Sequence, residues 1–210
     1  VVIGGGIMGC STLYHLAKHG VSDAILLERN KLTSGTTWHS AAQVRALRST
    51  SNLTDLIKYS ISLYSTLEQE TGQQTGWINK GSLSIATNED RMIHVRRQEA
   101  LAHSFGVRAD SITAAEAKER WPLMNPEGVL GGIYMPSDGS ANPIDLTTAL
   151  AKGASQRGVT IMEHTKVQEI LVSEGRASGV HTDQGTITAD FVVNCAGMWA
   201  RDIGQQNGVS

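Results

Sequence analysis

The stretch Val1-Val2-Ile3-Gly4-Gly5-Gly6-Ile7-Met8-Gly9, read together with Ala24-Ile25-Leu26-Leu27-Glu28, decides the fold. Three apolar residues run straight into Gly4-x-Gly6-x-x-Gly9. From Ile7 to about His19 the spacing turns helical, with Leu13, Leu16 and Ala17 on the sheet-facing side and Gly20 as the stop. Ala24 to Glu28 is apolar until its last residue, as a parallel strand covered on both faces should be. Strand, glycine turn, helix and strand make one βαβ unit of the expected length. Gly4 allows the tight turn, Gly6 lets the backbone come close to a pyrophosphate, and Gly9 lets the helix pack against the strand. The amides of the first helical turn, around Ile7 and Met8, face that anion with the positive end of the helix dipole behind them. Glu28, 19 residues after Gly9, stands where an acid bonds ribose hydroxyls. Arg29 beside it is either a phosphate partner or a solvated charge at a strand end. The pattern predicts a dinucleotide site and does not separate FAD from NAD.

Composition narrows the rest. The 210 residues carry 18 Lys+Arg and 20 Asp+Glu, a net charge of −2. There is no long basic run, which argues against a nucleic-acid or anionic-membrane partner. Apolar residues at 40% and charged residues at 18% describe a chain with a core rather than a disordered one. No stretch approaches the roughly 20 apolar residues of a membrane helix. Cys10 and Cys195 are too few for a disulfide framework and lack metal-site spacing. His15 and His19 share a helical face without the Glu or third ligand a zinc site needs, so no metal is expected. The chain begins inside a strand, at Val1, and closes on Gly208-Val209-Ser210, so it reads as part of a longer protein.

Further along, a polar loop occupies Asn30 to Ser40. Leu53, Leu56, Ile57, Ile61, Tyr64 and Leu67 predict an amphipathic helix over 53–70. Strands are predicted at 82–86, 129–135, 159–162, 166–172, 179–182 and 186–188, and a buried one at 190–195. Helices are predicted at 89–105, 114–120 and 198–206, with another from Asn142-Pro143 to Arg157. Nucleotide-binding character thus opens the chain, is interrupted by mixed strands and helices, and returns near Val159.

The loop Thr33-Ser34-Gly35-Thr36-Thr37-Trp38-His39-Ser40 follows the second strand, where loops of a doubly wound sheet overhang the ligand crevice. His39 there is open to four roles: general base, metal ligand, covalent cofactor anchor, or hydrogen-bonding loop residue.

The segments GGGIMGCSTLYHLAKHG, LTSGTTWH, ETGQQTGWINKGSLSIATN, RWPLMN and FVVNCAGMWA resemble the sarcosine and dimethylglycine dehydrogenases, within the amino-acid-oxidase-like group of FAD-dependent oxidoreductases. The resemblance runs in order over the whole chain, and its wording is nearer the sarcosine branch. It implies an α/β fold: a glutathione-reductase-like, Rossmann-type FAD domain interleaved with an α+β substrate domain. Residues 1–80 and 159–210 would belong mainly to the FAD domain and 81–158 to the substrate or cap domain, with a later segment still to complete the site.

The resemblance also implies roles. FAD would be held by Gly4, Gly6, Ile7, Met8, Gly9, Glu28 and Arg29, by Thr36 and Thr37 on the diphosphate or flavin side, and by the backbone of Val167 at the adenine. Ala196-Gly197 and Trp199 would pass beside it, and the Trp38-His39 pair would carry the flavin covalently through the His39 ring. Arg48, with Arg45 as the alternative, would clamp a substrate carboxylate, for which a guanidinium is the bidentate partner. The implied reaction is oxidative N-demethylation of a small N-methyl amino acid, hydride passing from the N-methyl carbon to flavin. Its electron acceptor would be oxygen or an electron-transfer protein, and tetrahydrofolate would serve the full-length protein as one-carbon acceptor. The compartment would be the cytoplasm in a bacterium and the mitochondrial matrix in a eukaryote. Two alternatives stay open: a non-catalytic regulatory relative of the family, and an NAD-dependent oxidoreductase.

Overall fold

Two short hydrogen bonds set the opening turn. The Gly4 amide donates to the Leu27 carbonyl at 2.9 Å, and the Cys10 amide to the Gly6 carbonyl at 3.0 Å. The computed structural model describes residues 1–208. In chain order its first elements are β1 (Val2–Ile3), α1 (Ile7–Lys18), β2 (Ile25–Leu27), β3 (Gln43–Val44), α2 (Ser51–Thr71), β4 (Ser82–Ala86), α3 (Glu89–Ser104), β5 (Asp110–Ile112) and α4 (Ala114–Arg120). There follow β6 (Gly131–Met135), β7 (Gly139–Ser140), α5 (Pro143–Ser155), β8 (Thr160–Met162), β9 (Val167–Ser173), β10 (Arg176–Thr182), β11 (Gly185–Thr188), β12 (Val193–Asn194) and α6 (Ala200–Gln205). These group into two compact units. The first holds Val1–Ala42, Thr66–Gly76 and the chain from Asn142 onward; the second holds Gln43–Ser65 and Trp77–Ala141.

The first unit is built on a four-stranded parallel sheet of order β12-β1-β2-β8. Val2 pairs with Leu26 on one side and Val193 on the other, and Ile25 pairs with Thr160. Its middle strands are β1 and β2, and Leu26 and Leu27 are buried as the apolar run predicts. Asn142 starts α5 by accepting from the Ile144 and Asp145 amides, with Pro143 at the first helical position. α5 approaches α1 closely at Gly153, where a Cβ would stand 2.9 Å from both Thr71 Cγ2 and Tyr14 Cε2. The antiparallel sheet β11-β10-β9 completes the unit. Its bulges fall between Ala177 and Gly179 and between His181 and Thr182.

The predicted buried strand at 190–195 differs from the structure. Only Val193 and Asn194 are ladder residues, and Phe191 is 76% exposed. The reason is position: β12 is an edge of the sheet, so apolar content marks a surface there and not a core.

The second unit carries the antiparallel sheet β4-β6-β5 and the short pair β3-β7, which sequence reading did not separate from loop. Ala46, Ala86, Val95, Ala102, Ile133 and Met135 form its core, with Leu47, Ile61 and Met92 packed against it. Thr113 and Glu116 form a reciprocal capping box on α4, and the Asn88 side chain caps α3. The buried stripe of α2 is rotated from the expected one. Thr54, Leu63 and Leu67 are buried, whereas Leu53 and Leu56 are exposed.

In the first unit, Tyr14 and Arg157 both bond Glu70: the Tyr14 hydroxyl donates to Glu70 Oε1 at 2.7 Å and the Arg157 guanidinium at 2.5 Å. Partial burial pushes the Glu70 carboxyl up, but Tyr14, Arg157 and Lys18 together outweigh it and hold it below the ordinary carboxylate range. A carboxyl depressed in the folded state adds stability above its unfolded pKa of about 4.3 and loses it as pH falls through the folded value. Glu70→Gln is therefore expected to lower the urea midpoint at pH 7 by an amount that shrinks below about pH 4. A gap that stayed constant down to pH 3 would remove the carboxylate charge from this account.

Candidate dinucleotide-binding site

Between β1 and α1 the backbone is crowded to the limit. Gly4 has φ +107°, and a Cβ there would stand 2.5 Å from the Cys195 carbonyl oxygen. A Cβ at Gly9 would be driven into the Gly4 carbonyl. At Gly6 the neighbour is a side chain, Thr37 Oγ1, 2.9 Å from the position a Cβ would take. That hydroxyl oxygen accepts the Ile7 amide at 3.0 Å, so the 33–40 loop supplies a cap that Gly6 itself does not. The next two amides of the first turn, Met8 and Gly9, meet no acceptor among the described residues.

The loop is tied down a second time by the Thr33 amide, which donates to the Gly5 carbonyl at 2.9 Å. Thr33 is buried and takes φ +68°, a left-handed conformation that a threonine holds only when its surroundings impose it. Glu28 sits at the end of β2 with both oxygens engaged by backbone: Oε2 accepts the Gly5 amide at 2.7 Å and Oε1 the Asn30 amide at 2.8 Å. Each oxygen keeps acceptor capacity for a hydroxyl donor.

These groups line one cavity of about 680 Å³, wholly within the first unit. Gly4, Gly6, Ile7 and Met8 form one part of its wall, and Glu28 and Arg29 another. Thr36 and Thr37 come from the loop, Val167 from β9, and Ala196, Gly197 and Trp199 from the turn after β12. The Arg29 guanidinium lies 3.9 Å over the Trp199 ring, a cation–π contact that joins two of these walls. Gly9 is buried behind the turn and does not line the cavity.

Trp38 and His39 are not in the lining either. They form a 3-10 turn, Thr37–His39, with ring centroids 3.9 Å apart, and both are exposed, Trp38 at 52%. Ser40, the next residue, does line the cavity. Arg45 and Arg48 lie in the second unit, both exposed, and among the described residues neither is ion-paired. Sequence reading missed Asn30, Ser34, Lys166 and Gln168, and also Asp202 and Gln206. The last two are four residues apart on and just after α6, a one-face spacing that was legible in the sequence. Cys195 also lines the cavity, with its sulfur 3.8 Å from the Thr12 hydroxyl. Burial, helped by the negative charge of Glu28, pushes the Cys10 thiol up to about 12, which makes it a packing residue.

The residues fit a dinucleotide. Donors without partners sit at a helix N-terminus, an acid with spare lone pairs lies across from them, and the volume is within the roughly 300–1,000 Å³ of small-molecule sites. Fold and site together define a dinucleotide-binding α/β protein with an inserted second unit.

The FAD-dependent oxidoreductase (DAO) family model matches residues 1–209, and the chain belongs to that family. It is 44% identical to human mitochondrial sarcosine dehydrogenase over 100% of this chain and 23% of that protein. It is 41% identical to the formaldehyde-forming 4-methylaminobutanoate oxidase of Paenarthrobacter nicotinovorans, over 100% of this chain and 25% of that one. It is also 40% identical to the mouse mitochondrial pyruvate dehydrogenase phosphatase regulatory subunit, over 99% of this chain and 24% of that one. The chain thus spans about a quarter of the length of these relatives. Among solved structures, L-proline dehydrogenase from P. horikoshii superposes with a TM-score of 0.93 at 30% identity, over 100% of this chain and 55% of that one.

Removing the Thr37 hydroxyl tests the loop's attachment. Thr37→Val leaves the Ile7 amide without its acceptor and is expected to cost about 1–2 kcal/mol, a melting-temperature loss of roughly 2–8 °C. Gly9→Ala is expected to exceed that, because backbone and not a flexible side chain would have to move. Equal melting temperatures for Thr37→Val and the parent would show that water replaces the bond without loss.

Proposed function

We propose that this chain is the FAD-holding part of an amine oxidoreductase that removes an N-methyl group from a small amino acid of the sarcosine or dimethylglycine type. One observation carries the proposal. The glycine turn, Glu28, the Thr36-Thr37 loop and the Ala196-Gly197 turn converge on one cavity in a chain of an FAD-dependent family. That family assignment favours a flavin over a nicotinamide cofactor.

In this reading the Met8 amide and the α1 dipole receive the diphosphate. Glu28 accepts ribose hydroxyls, Val167 presents backbone to the adenine, and Arg29 stacked on Trp199 closes over the same site. Bound FAD supplies the two-electron acceptor for a hydride leaving the N-methyl carbon. The substrate iminium so formed adds water and releases formaldehyde or delivers its carbon to tetrahydrofolate. Arg48, with Arg45 as the second choice, holds the substrate carboxylate bidentately and so fixes the methyl carbon. His39 is the covalent attachment point; the LTSGTTWH wording and an exposed, accessible ring support it. Residues 1–80 and 159–210 serve chiefly the cofactor and 81–158 the substrate side; the exceptions are α5, packed on α1 within the first unit, and 43–65 with 77–80, which belong to the second. The name of the human relative supports a mitochondrial setting in a eukaryote; the matrix there, and the cytoplasm in a bacterium, complete the proposal. Oxygen or an electron-transfer protein takes the electrons onward.

The 40% identity to a regulatory subunit favours a second reading, a flavin-retaining protein without turnover.

Acid precipitation of the full-length protein, followed by flavin fluorescence of the pellet, tests the first reading. Fluorescence is expected to stay with the polypeptide and to move to the supernatant in His39→Ala. Flavin released by the parent protein would end the covalent assignment. Retained flavin without formaldehyde from any N-methyl amino acid would transfer the case to the regulatory reading.

A further inference from the structure

Asp138 is the most deeply buried acid in the second unit, 1% exposed, and no cation stands within ion-pair distance of it among the described residues. An acid in such a place is costly unless its oxygens are bonded. Both are. Oδ1 accepts the Ala46 amide at 2.7 Å, and Oδ2 accepts the Ser82 hydroxyl at 2.5 Å. Its backbone carbonyl accepts the Gly81 amide and the Asn79 side-chain amide, each at 2.8 Å. One residue therefore ties two separated segments, at 46 and at 79–82, to its own.

The segment that gains most is 45–50. It follows β3, has no ladder or helix of its own, and carries Arg45 and Arg48 at its surface. Between the two arginines, Ala46 is 1% exposed and sits in the core with Leu47 beside it. At the far end Thr54, fully buried on the first turn of α2, accepts the Arg48 amide through its hydroxyl at 3.1 Å. The same hydroxyl donates to the Thr50 carbonyl at 2.9 Å. Two buried polar side chains thus do for this segment what a β-ladder does for a strand: they fix the backbone at Ala46 and at Arg48. The stretch after Asp138 is held equally, because the Ile78 and Ser140 backbones bond each other in both directions. A Cβ at Gly139 would stand 2.5 Å from the Ile78 carbonyl. Asp138 has no freedom to follow if the arginine segment shifts.

We infer that Asp138 and Thr54 are positioning residues for a carboxylate-binding arginine pair: they hold the backbone from which Arg48, and secondarily Arg45, reach an amino-acid carboxylate. The inference rests on the arginine clamp of the proposed function. Neither guanidinium is ion-paired within the described chain, so each is available to an anion; what they lack is rigid roots, and the two buried side chains supply them. A clamp whose backbone wanders spends binding energy on ordering it.

The test is a double-mutant cycle in the full-length flavoprotein, read by calorimetric titration with methoxyacetate, which keeps the carboxylate and replaces the amine by an ether oxygen. Flavin content and melting temperature are measured alongside. Asp138→Ala and Thr54→Val are each expected to weaken methoxyacetate about tenfold while flavin content stays at the parent value. In an Arg48→Ala background each is expected to add less than about twofold, because the route through Arg48 is already cut. Asp138→Asn keeps an acceptor for the Ala46 amide, and the Ser82 hydroxyl can turn to accept, so it is expected to restore binding to within about threefold. Thr54→Val preserves volume and decides the matter alone should Asp138→Ala fail to fold. Full multiplication of the effects in the Arg48→Ala background would overturn the inference, as would unchanged binding in Thr54→Val and Asp138→Ala. If Arg48→Ala and Arg45→Ala themselves leave methoxyacetate binding untouched, the clamp reading falls and this inference with it. If only Arg48→Ala weakens binding, the clamp stands and the positioning role is lost.

Discussion

The absence of a single atom at Gly9 underlies the rest of the first unit. A Cβ there would collide with the Gly4 carbonyl, and Gly4 in turn holds a left-handed φ against the Cys195 carbonyl. The start of α1 can therefore approach the end of β1 only if Gly9 lacks a side chain, and the chain leaving β12 can pass beside that turn only if Gly4 does. That approach aims the first helical turn, with the unanswered Met8 amide, into the space above the sheet. It also sets the register. The Gly4 amide continues toward the Leu27 carbonyl where β1 and β2 part, and the Cys195 amide donates to the Ile3 carbonyl where β12 ends. Three strands finish at one level, which is the geometry that makes a crevice at the carboxyl edge of a parallel sheet.

Around that turn, backbone and side-chain groups from later in the chain complete what the glycines begin. Thr37 caps Ile7, Thr33 reaches back to Gly5, and Glu28 takes the Gly5 and Asn30 amides. The Glu28 geometry adds to what position alone suggests. An acid at the end of β2 is expected to wait for a ribose, yet here it first organises its own loop, with lone pairs left over. Such a carboxylate is pre-oriented, since both of its oxygens are held by backbone amides before any ligand arrives.

What was legible in the sequence follows from range. Asn142-Pro143 at the head of α5 is a cap within a few residues, and the βαβ unit and β4 at Ser82–Ala86 show a residue pattern within each element, whatever the distance to the paired strand. The Gly-rich turn and Glu28 were legible for the same reason. The β3-β7 pair joins residues almost a hundred positions apart with two residues on each side, too short for any alternation to register. α2 was found, but its buried stripe was read off apolar spacing, and the helix buries Thr54 while exposing Leu53 and Leu56. A threonine whose hydroxyl is bonded to backbone counts as core to the fold and as polar to a pattern. Asp138 was invisible on the same ground: an acid in a loop reads as solvated, and only the long-range bonds to Ala46 and Ser82 make it buried. Trp38 and His39 were legible as a motif, but their exposure outside the cavity lining was not, since it depends on how the 3-10 turn closes.

One division runs through both units. Regular elements commit nearly every amide and carbonyl to their ladders, and so have little left for a ligand. The residues that carry the proposed chemistry sit in 33–40 and 45–50, which form no ladder and yet are not loose: the half-buried Thr37 hydroxyl and the Thr33 backbone amide fasten the first, and the buried Asp138 and Thr54 side chains the second. A scaffold of this kind tolerates changes of function at little cost in fold, since the fastenings lie beneath the surface and the exposed residues are free to vary. Identities of 44% to a dehydrogenase and 40% to a regulatory subunit are what such a scaffold should give. In the proposed reading the chemistry would rest on exposed positions such as His39, Arg45 and Arg48, which the fastenings hold in place without dictating which side chain stands there.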